Sequence, residues 1–156
     1  MNATIDELSQ LITAKSPELA AALLPGASLD ELSRTFGASF TELPADLKAL
    51  WAWRNGQAQD YFGNFHATTN EMLMSFENAY ETRLELNEYL ESGDLDDDNW
   101  QSSWLPFTEN GGGNYMCLSL ETGEIYYFDK YKTATGLRFS TFDGWLRNLI
   151  DDYKRI

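Results

Sequence analysis

The chain has 156 residues and a formal net charge of −14 at pH 7, from 25 acidic against 11 basic side chains; a field of that sign repels nucleic-acid phosphates and anionic membranes and argues against direct binding to either. Its 43% hydrophobic content, with five Trp, nine Phe and eight Tyr, suffices for one packed core without a disulfide or metal staple. Cys117 is the sole cysteine and no apolar run nears the length of a membrane span, while residues 1–10, with Asp6 and Glu7, lack the pattern of a secretory leader; the expectation is a reducing, cytoplasmic setting.

Thr4 and Glu7 stand at capping-box spacing before Ile5, Leu8, Leu11 and Ile12, which predicts an opening amphipathic helix ending near Lys15. Ser16-Pro17 starts a second, short helix carrying Leu19 and Leu23 until Pro25-Gly26 breaks it. Ser28 and Glu31 repeat the capping box, with Gly37 as the stop. Pro44 opens a helix with Leu47, Leu50 and Trp51 on one face, and Asn55-Gly56 is its expected terminator.

Tyr61, Phe62 and Phe65 suggest a short strand or a buried loop, and Met72-Leu73-Met74 a strand just before Ser75 caps a long helix over about residues 76–91. Ala79, Tyr80, Arg83, Asn87 and Leu90 form its inward seam, and Ser92-Gly93 ends it. Residues 94–99 have no apolar period and read as an exposed acidic loop, after which Trp100 and Trp104 return to the core. Residues 111–114 are a glycine turn. Residues 115–120 and 125–128, joined by a turn at 121–124, form the clearest antiparallel hairpin, with Tyr126 or Tyr127 turned outward, and residues 135–139 supply a further strand. Ser140 with Asp143 caps a final helix bearing Phe142, Trp145, Leu146, Leu149, Ile150 and Tyr153.

Helices at both ends around central strands define a single α+β domain: an antiparallel sheet flanked by N-terminal helices, a long middle helix and a C-terminal helix. Residues 1–27 read as an N-terminal helical extension packed on a domain of residues 28–156.

Chemical motifs are sparse. Asp94, Asp96 and Asp98 have the spacing of the first EF-hand ligands, but Asn99 replaces the glycine and Leu105 the glutamate such a loop needs. With Asp97 they form an anionic patch suited to a basic partner, or simply a solvated loop that aids solubility. His66 is the only histidine and Cys117 sits inside an apolar strand, so a Cys–His dyad has no visible activating group. The triple glycine precedes a strand, lacks a P-loop lysine and is a turn. The expectation is a protein with no catalytic residues, no metal site and no cofactor.

Over roughly residues 28–153 the chain resembles the SMI1/KNR4 family, or SUKH superfamily. The resemblance is carried by Leu43-Pro44-Ala45-Asp46-Leu47 leading to Asn55-Gly56, Leu73-Met74-Ser75, Trp104-Leu105-Pro106-Phe107, Gly112-Gly113-Asn114-Tyr115-Met116-Cys117-Leu118, Gly123-Glu124-Ile125-Tyr126 and Phe142-Asp143-Gly144-Trp145-Leu146. The family often has aspartate where this chain has Ser119. The resemblance implies a protein-binding role: an immunity protein that neutralises a cognate, basic bacterial toxin, nucleases being one such class, by occluding its active site. The alternative it implies is a regulatory scaffold that binds a housekeeping protein or a small ligand. Leu43, Pro44, Asn55, Gly56, Trp104, Pro106, Gly112, Gly113, Gly123 and Trp145 read as structural motif residues, and Asp94, Asp96, Asp97 and Asp98 as the partner-binding patch.

Overall fold

Asn2, not Thr4, opens the first helix in a computed structural model that describes residues 2–66 and 68–156. Its Oδ1 accepts the Ile5 amide at 2.8 Å, and its Nδ2 donates to Asp46 Oδ1, so α1 (Ala3–Lys15) begins two residues earlier than the Thr4 capping box predicts. Pro17 starts α2 (Pro17–Ala22), but Leu23 is extended rather than helical and begins β1 (Leu23–Pro25). The capping box of Ser28 and Glu31 is present with both of its bonds at the start of α3 (Leu29–Phe36). Gly37, at φ 56°, ends it and leads into a 3-10 turn over Gly37–Glu42.

Pro44 is the cap, not the first helical residue, of α4 (Ala45–Trp53), which buries Leu47, Leu50 and Trp51. Asn55-Gly56 does not terminate this helix. The chain turns extended at Arg54, and β2 (Arg54–Gln57) pairs antiparallel with β1 to form a small sheet. Residues 58–66 and 68–71 form turns and loop, with Phe65 buried and Phe62 exposed.

Next come β3 (Met72–Leu73), α5 (Phe76–Ser92), β4 (Trp104–Glu109), β5 (Tyr115–Ser119), β6 (Ile125–Phe128) and β7 (Gly136–Phe139), then α6 (Phe142–Lys154). Strands β3 to β7 hydrogen-bond in sequence order as a five-stranded antiparallel sheet. The predicted hairpin is β5 with β6, Tyr115 opposite Phe128 and Leu118 opposite Ile125. Thr141, rather than Ser140, caps α6, its Oγ1 accepting the Gly144 amide at 3.0 Å.

Period-two alternation splits the apolar residues of the large sheet between two cores. Leu105, Phe107, Met116, Leu118 and Ile125 join the larger core, which also takes Ile5, Leu8 and Ile12 of α1, Trp51 of α4, and Trp145, Leu149 and Tyr153 of α6. The N-terminal helices thus share one core with the C-terminal helix, and Lys154 pairs with Glu7 at their surface. Trp104, Cys117 and Phe128 point the other way, into a smaller core closed by Trp100 and by Leu86 of α5. Here Trp104 stacks on Tyr126 with ring centroids 4.8 Å apart, and Trp100 meets Trp104 edge-on at 5.5 Å. Tyr126 and Tyr127 are both half-buried, one on each core, so neither is the outward residue the sequence suggests. Helix α5 serves both cores: Phe76 and Ala79 enter the larger, Leu86 the smaller. Phe76 and Leu86 are buried although the predicted seam omits them, while Arg83, Asn87 and Leu90 of that seam are only half-buried.

Candidate functional site

The motif residues hold the strands and helices together. Asn55 Oδ1 accepts the Phe76 amide at 2.8 Å and its Nδ2 donates to Glu77 Oε1 at 2.7 Å, satisfying one of the open amides at the start of α5. Gly56, at φ 85°, brings β2 against the same helix start: a Cβ there would lie 2.7 Å from Ser75 N. Leu43, Trp104, Pro106 and Trp145 are buried. Gly113 and Gly123 take positive φ in the β4–β5 and β5–β6 turns of the large sheet, and Gly112 N donates to Asn110 Oδ1. Gly112 and Gly113 sit beside the Asn110 and Lys130 side chains rather than in a close approach to a strand. Ser119 is buried at the end of β5, and its Oγ accepts the Thr122 amide, a turn-closing role.

Asp94, Asp96, Asp97 and Asp98 are exposed. Their bonds diverge: Asp94 Oδ2 accepts from the Ser92 hydroxyl, while Asp96 forms an ion pair with Lys132 and accepts the Asp98 amide. That lysine holds the Asp96 carboxyl below the usual range. No group of three or more His, Cys, Asp or Glu able to hold a metal ion occurs among the described residues. Asn99, expected in the exposed loop, is buried; its Nδ2 donates to Asp129 O and its Oδ1 accepts from the Thr135 hydroxyl. An amide that can both donate and accept ties this loop to the two ends of the connection between β6 and β7.

The patch extends well beyond the loop. Glu77, Glu81, Glu85, Glu88 and Glu91 are all exposed along α5, three or four residues apart, and run into residues 94–98. The one basic residue of α5, Arg83, is turned aside, with Nε and Nη2 donating to Ser102 O at 3.1 and 2.9 Å. Leu84 and Tyr89 stand within this face at 45% and 40% exposure. At its other end lies a groove of about 420 Å³ floored by Met72, Leu73 and Met74, rimmed by exposed Leu24 and Phe62, and bordered by Glu77, Glu81 and Glu109. Burial pushes the Glu109 carboxyl up, against the opposing bond from Asn78 Nδ2.

A second concavity lies across the sheet, between His66 with residues 68–71 and α6. His66 is buried there with Nε2 3.6 Å from Asp152 Oδ2, to which the Thr68 hydroxyl also donates. Cys117 faces the smaller core, whereas His66 lines this cleft with Met116, the neighbour of Cys117 that points the opposite way. The sheet therefore separates the two members of the conceivable dyad, and burial raises the Cys117 thiol well above its ordinary value.

A two-core α+β domain whose motif residues are structural, and which carries an acidic helix face, has the form of a binding module. A profile of the SMI1 / KNR4 family (SUKH-1) matches residues 26–148, and the chain belongs to that family. No curated protein matches the chain. No helix is long and apolar enough to cross a membrane, among the described residues.

Proposed function

We propose that the protein is an immunity protein that binds a basic toxin domain without catalysis and covers its active site. The observation that carries this reading is the face of α5 and residues 94–98, on which nine carboxylates from Glu77 to Asp98 are exposed. An interface core needs apolar anchors inside a polar rim. Leu84 and Tyr89, and Leu24 and Phe62 around the groove, supply the anchors. The surrounding carboxylates speed encounter with a positive surface and disfavour wrong partners. A nucleic-acid-cleaving toxin, whose substrate is a row of phosphates, presents such a surface.

Capture of partners from the source cell's extract at low and high salt, followed by expression of each retained protein with and without this chain, tests the proposal. A basic protein released by salt, toxic when expressed alone and neutralised by the wild-type chain, is expected. The combined change Glu81→Lys, Glu85→Lys and Glu88→Lys then abolishes neutralisation. Partners that are harmless alone, or held regardless of salt, overturn the reading in favour of a regulatory scaffold.

A further inference from the structure

The groove beside the start of α5 is lined by three carboxylates and by no lysine, arginine or histidine among the described residues. None of the three, Glu77, Glu81 and Glu109, belongs to an ion pair among those residues. Glu77 Oε1 and Glu109 Oε2 accept from the neutral side-chain amides of Asn55 and Asn78. A carboxylate offers about four lone-pair directions, so each keeps capacity for a charged donor. Glu109 is half-buried, and burial pushes its carboxyl up, so it has already lost part of the hydration that an arriving cation would displace.

The floor is apolar, and Phe62 stands on the rim with 76% of its surface exposed. A purely aliphatic occupant would cover this surface but take the carboxylates further out of water without a counter-charge, which is costly. Lysine brings a charge, but a compact and strongly hydrated one. Arginine has a stem that covers apolar surface, a weakly hydrated planar guanidinium that stacks on aromatic rings, and five donors in a fork matched to carboxylates. The volume of about 420 Å³ admits that side chain together with the backbone that carries it.

We propose that this groove is a socket for one arginine side chain of the protein partner, its guanidinium held by the groove's carboxylates and its apolar surface covered by Met72 and Phe62. The inference rests on the reading of a basic partner and names the residue type by which that partner is gripped. Glu85, Glu88 and Glu91, further along α5, lie outside the groove and attract any cation. A preference for arginine over lysine is therefore the mark of the groove rather than of the acidic face as a whole.

The test is titration of the full chain, labelled with carbon-13 in its methionine methyl groups, with the capped tripeptides acetyl-Ala-Arg-Ala-amide, acetyl-Ala-Lys-Ala-amide and acetyl-Ala-Leu-Ala-amide at low salt. The Met72 methyl resonance is identified by its loss in Met72→Leu. The arginine peptide shifts it saturably, and the lysine and leucine peptides bind about threefold or more weakly, the factor expected from stacking at an exposed ring. Phe62→Ala, at an exposed position, removes the preference for arginine over lysine, and Glu109→Gln weakens the arginine peptide about fivefold, while Glu88→Gln outside the groove leaves that preference intact. A Met72 methyl unmoved by the arginine peptide, a lysine or leucine peptide that binds as tightly, or an arginine affinity unchanged in both Phe62→Ala and Glu109→Gln overturns the proposal. No toxin enters this measurement, so a groove indifferent to arginine refutes the socket while the acidic face stands, and a failed capture refutes the toxin reading separately.

Discussion

Gly56 and Gly93 share nearly the same positive φ, 85° and 87°, but have opposite surroundings, and together they separate the cost of that φ from the cost of contact. A side chain in the left-handed region costs about 1–2 kcal/mol. At Gly93 an added Cβ meets nothing within 4 Å, so Gly93→Ala loses about that amount and no more. At Gly56 the Cβ falls 2.7 Å from Ser75 N and 3.0 Å from Ser75 Cα, main-chain atoms of the α5 cap that cannot swing away. Relief requires β2 to retreat, which stretches the Phe76 N to Asn55 Oδ1 bond of 2.8 Å and the Leu73 N to Gln57 Oε1 bond of 3.0 Å. At about 1 kcal/mol for each bond, Gly56→Ala loses about 3–4 kcal/mol. Urea unfolding followed by tryptophan fluorescence measures both variants, with stability read from the midpoint at constant slope. Equal losses in the two variants would refute the claim that close approach, rather than φ alone, requires glycine at residue 56.

Two further outcomes follow from buried or hydrogen-bonded titrating groups. Cys117, buried and held protonated, resists a thiol-specific reagent at pH 8 in the native protein and reacts once urea unfolds the chain; rapid native labelling contradicts its placement in the smaller core. The Asp129 carboxyl is held below its ordinary value by the Thr133 hydroxyl and by the amides of Tyr131 and Ala134. A group depressed in this way stabilises the fold above the ordinary aspartate value, and the contribution disappears as pH falls through the depressed one. The Tyr131 and Ala134 amide resonances therefore titrate together with a midpoint below about 3.9, the free aspartate value, and a midpoint at or above it contradicts the assigned bonds.

The elements legible in the sequence were those whose signal is local. Helix α6 and the β5–β6 hairpin follow from periodic apolar residues, and Ser75 and Gly93 mark the ends of α5 as their residue types suggest. The small sheet was hidden because its evidence is a partner 29 to 34 residues away: Leu23 and Pro25 read as the end of a helix, and Asn55-Gly56 as another, until the two segments are seen pairing. Tertiary contact overrode the usual meaning of an Asn-Gly pair. The acidic face of α5 was present in the spacing of Glu77, Glu81, Glu85, Glu88 and Glu91, yet its continuity with residues 94–98 depends on where Arg83 points. The cleft was not legible at all. His66, Glu71, Arg138, Trp145 and Asp152 share no local pattern, and only the fold brings them to one opening.

The Gln57 side chain behaves as a substitute strand. It accepts the Leu73 amide on the outer side of β3 and donates to the carbonyls of Tyr61 and Gly63, occupying hydrogen-bonding groups that an edge would otherwise offer to a neighbour. At the opposite edge, the Arg138 guanidinium lies on the carbonyls of Gly136 and Leu137 in its own strand and places a charge where an incoming strand would dock. Charge and occupied backbone at sheet edges discourage the strand addition that leads to aggregation. A partner that grips this molecule is thereby directed to its side chains rather than to its backbone.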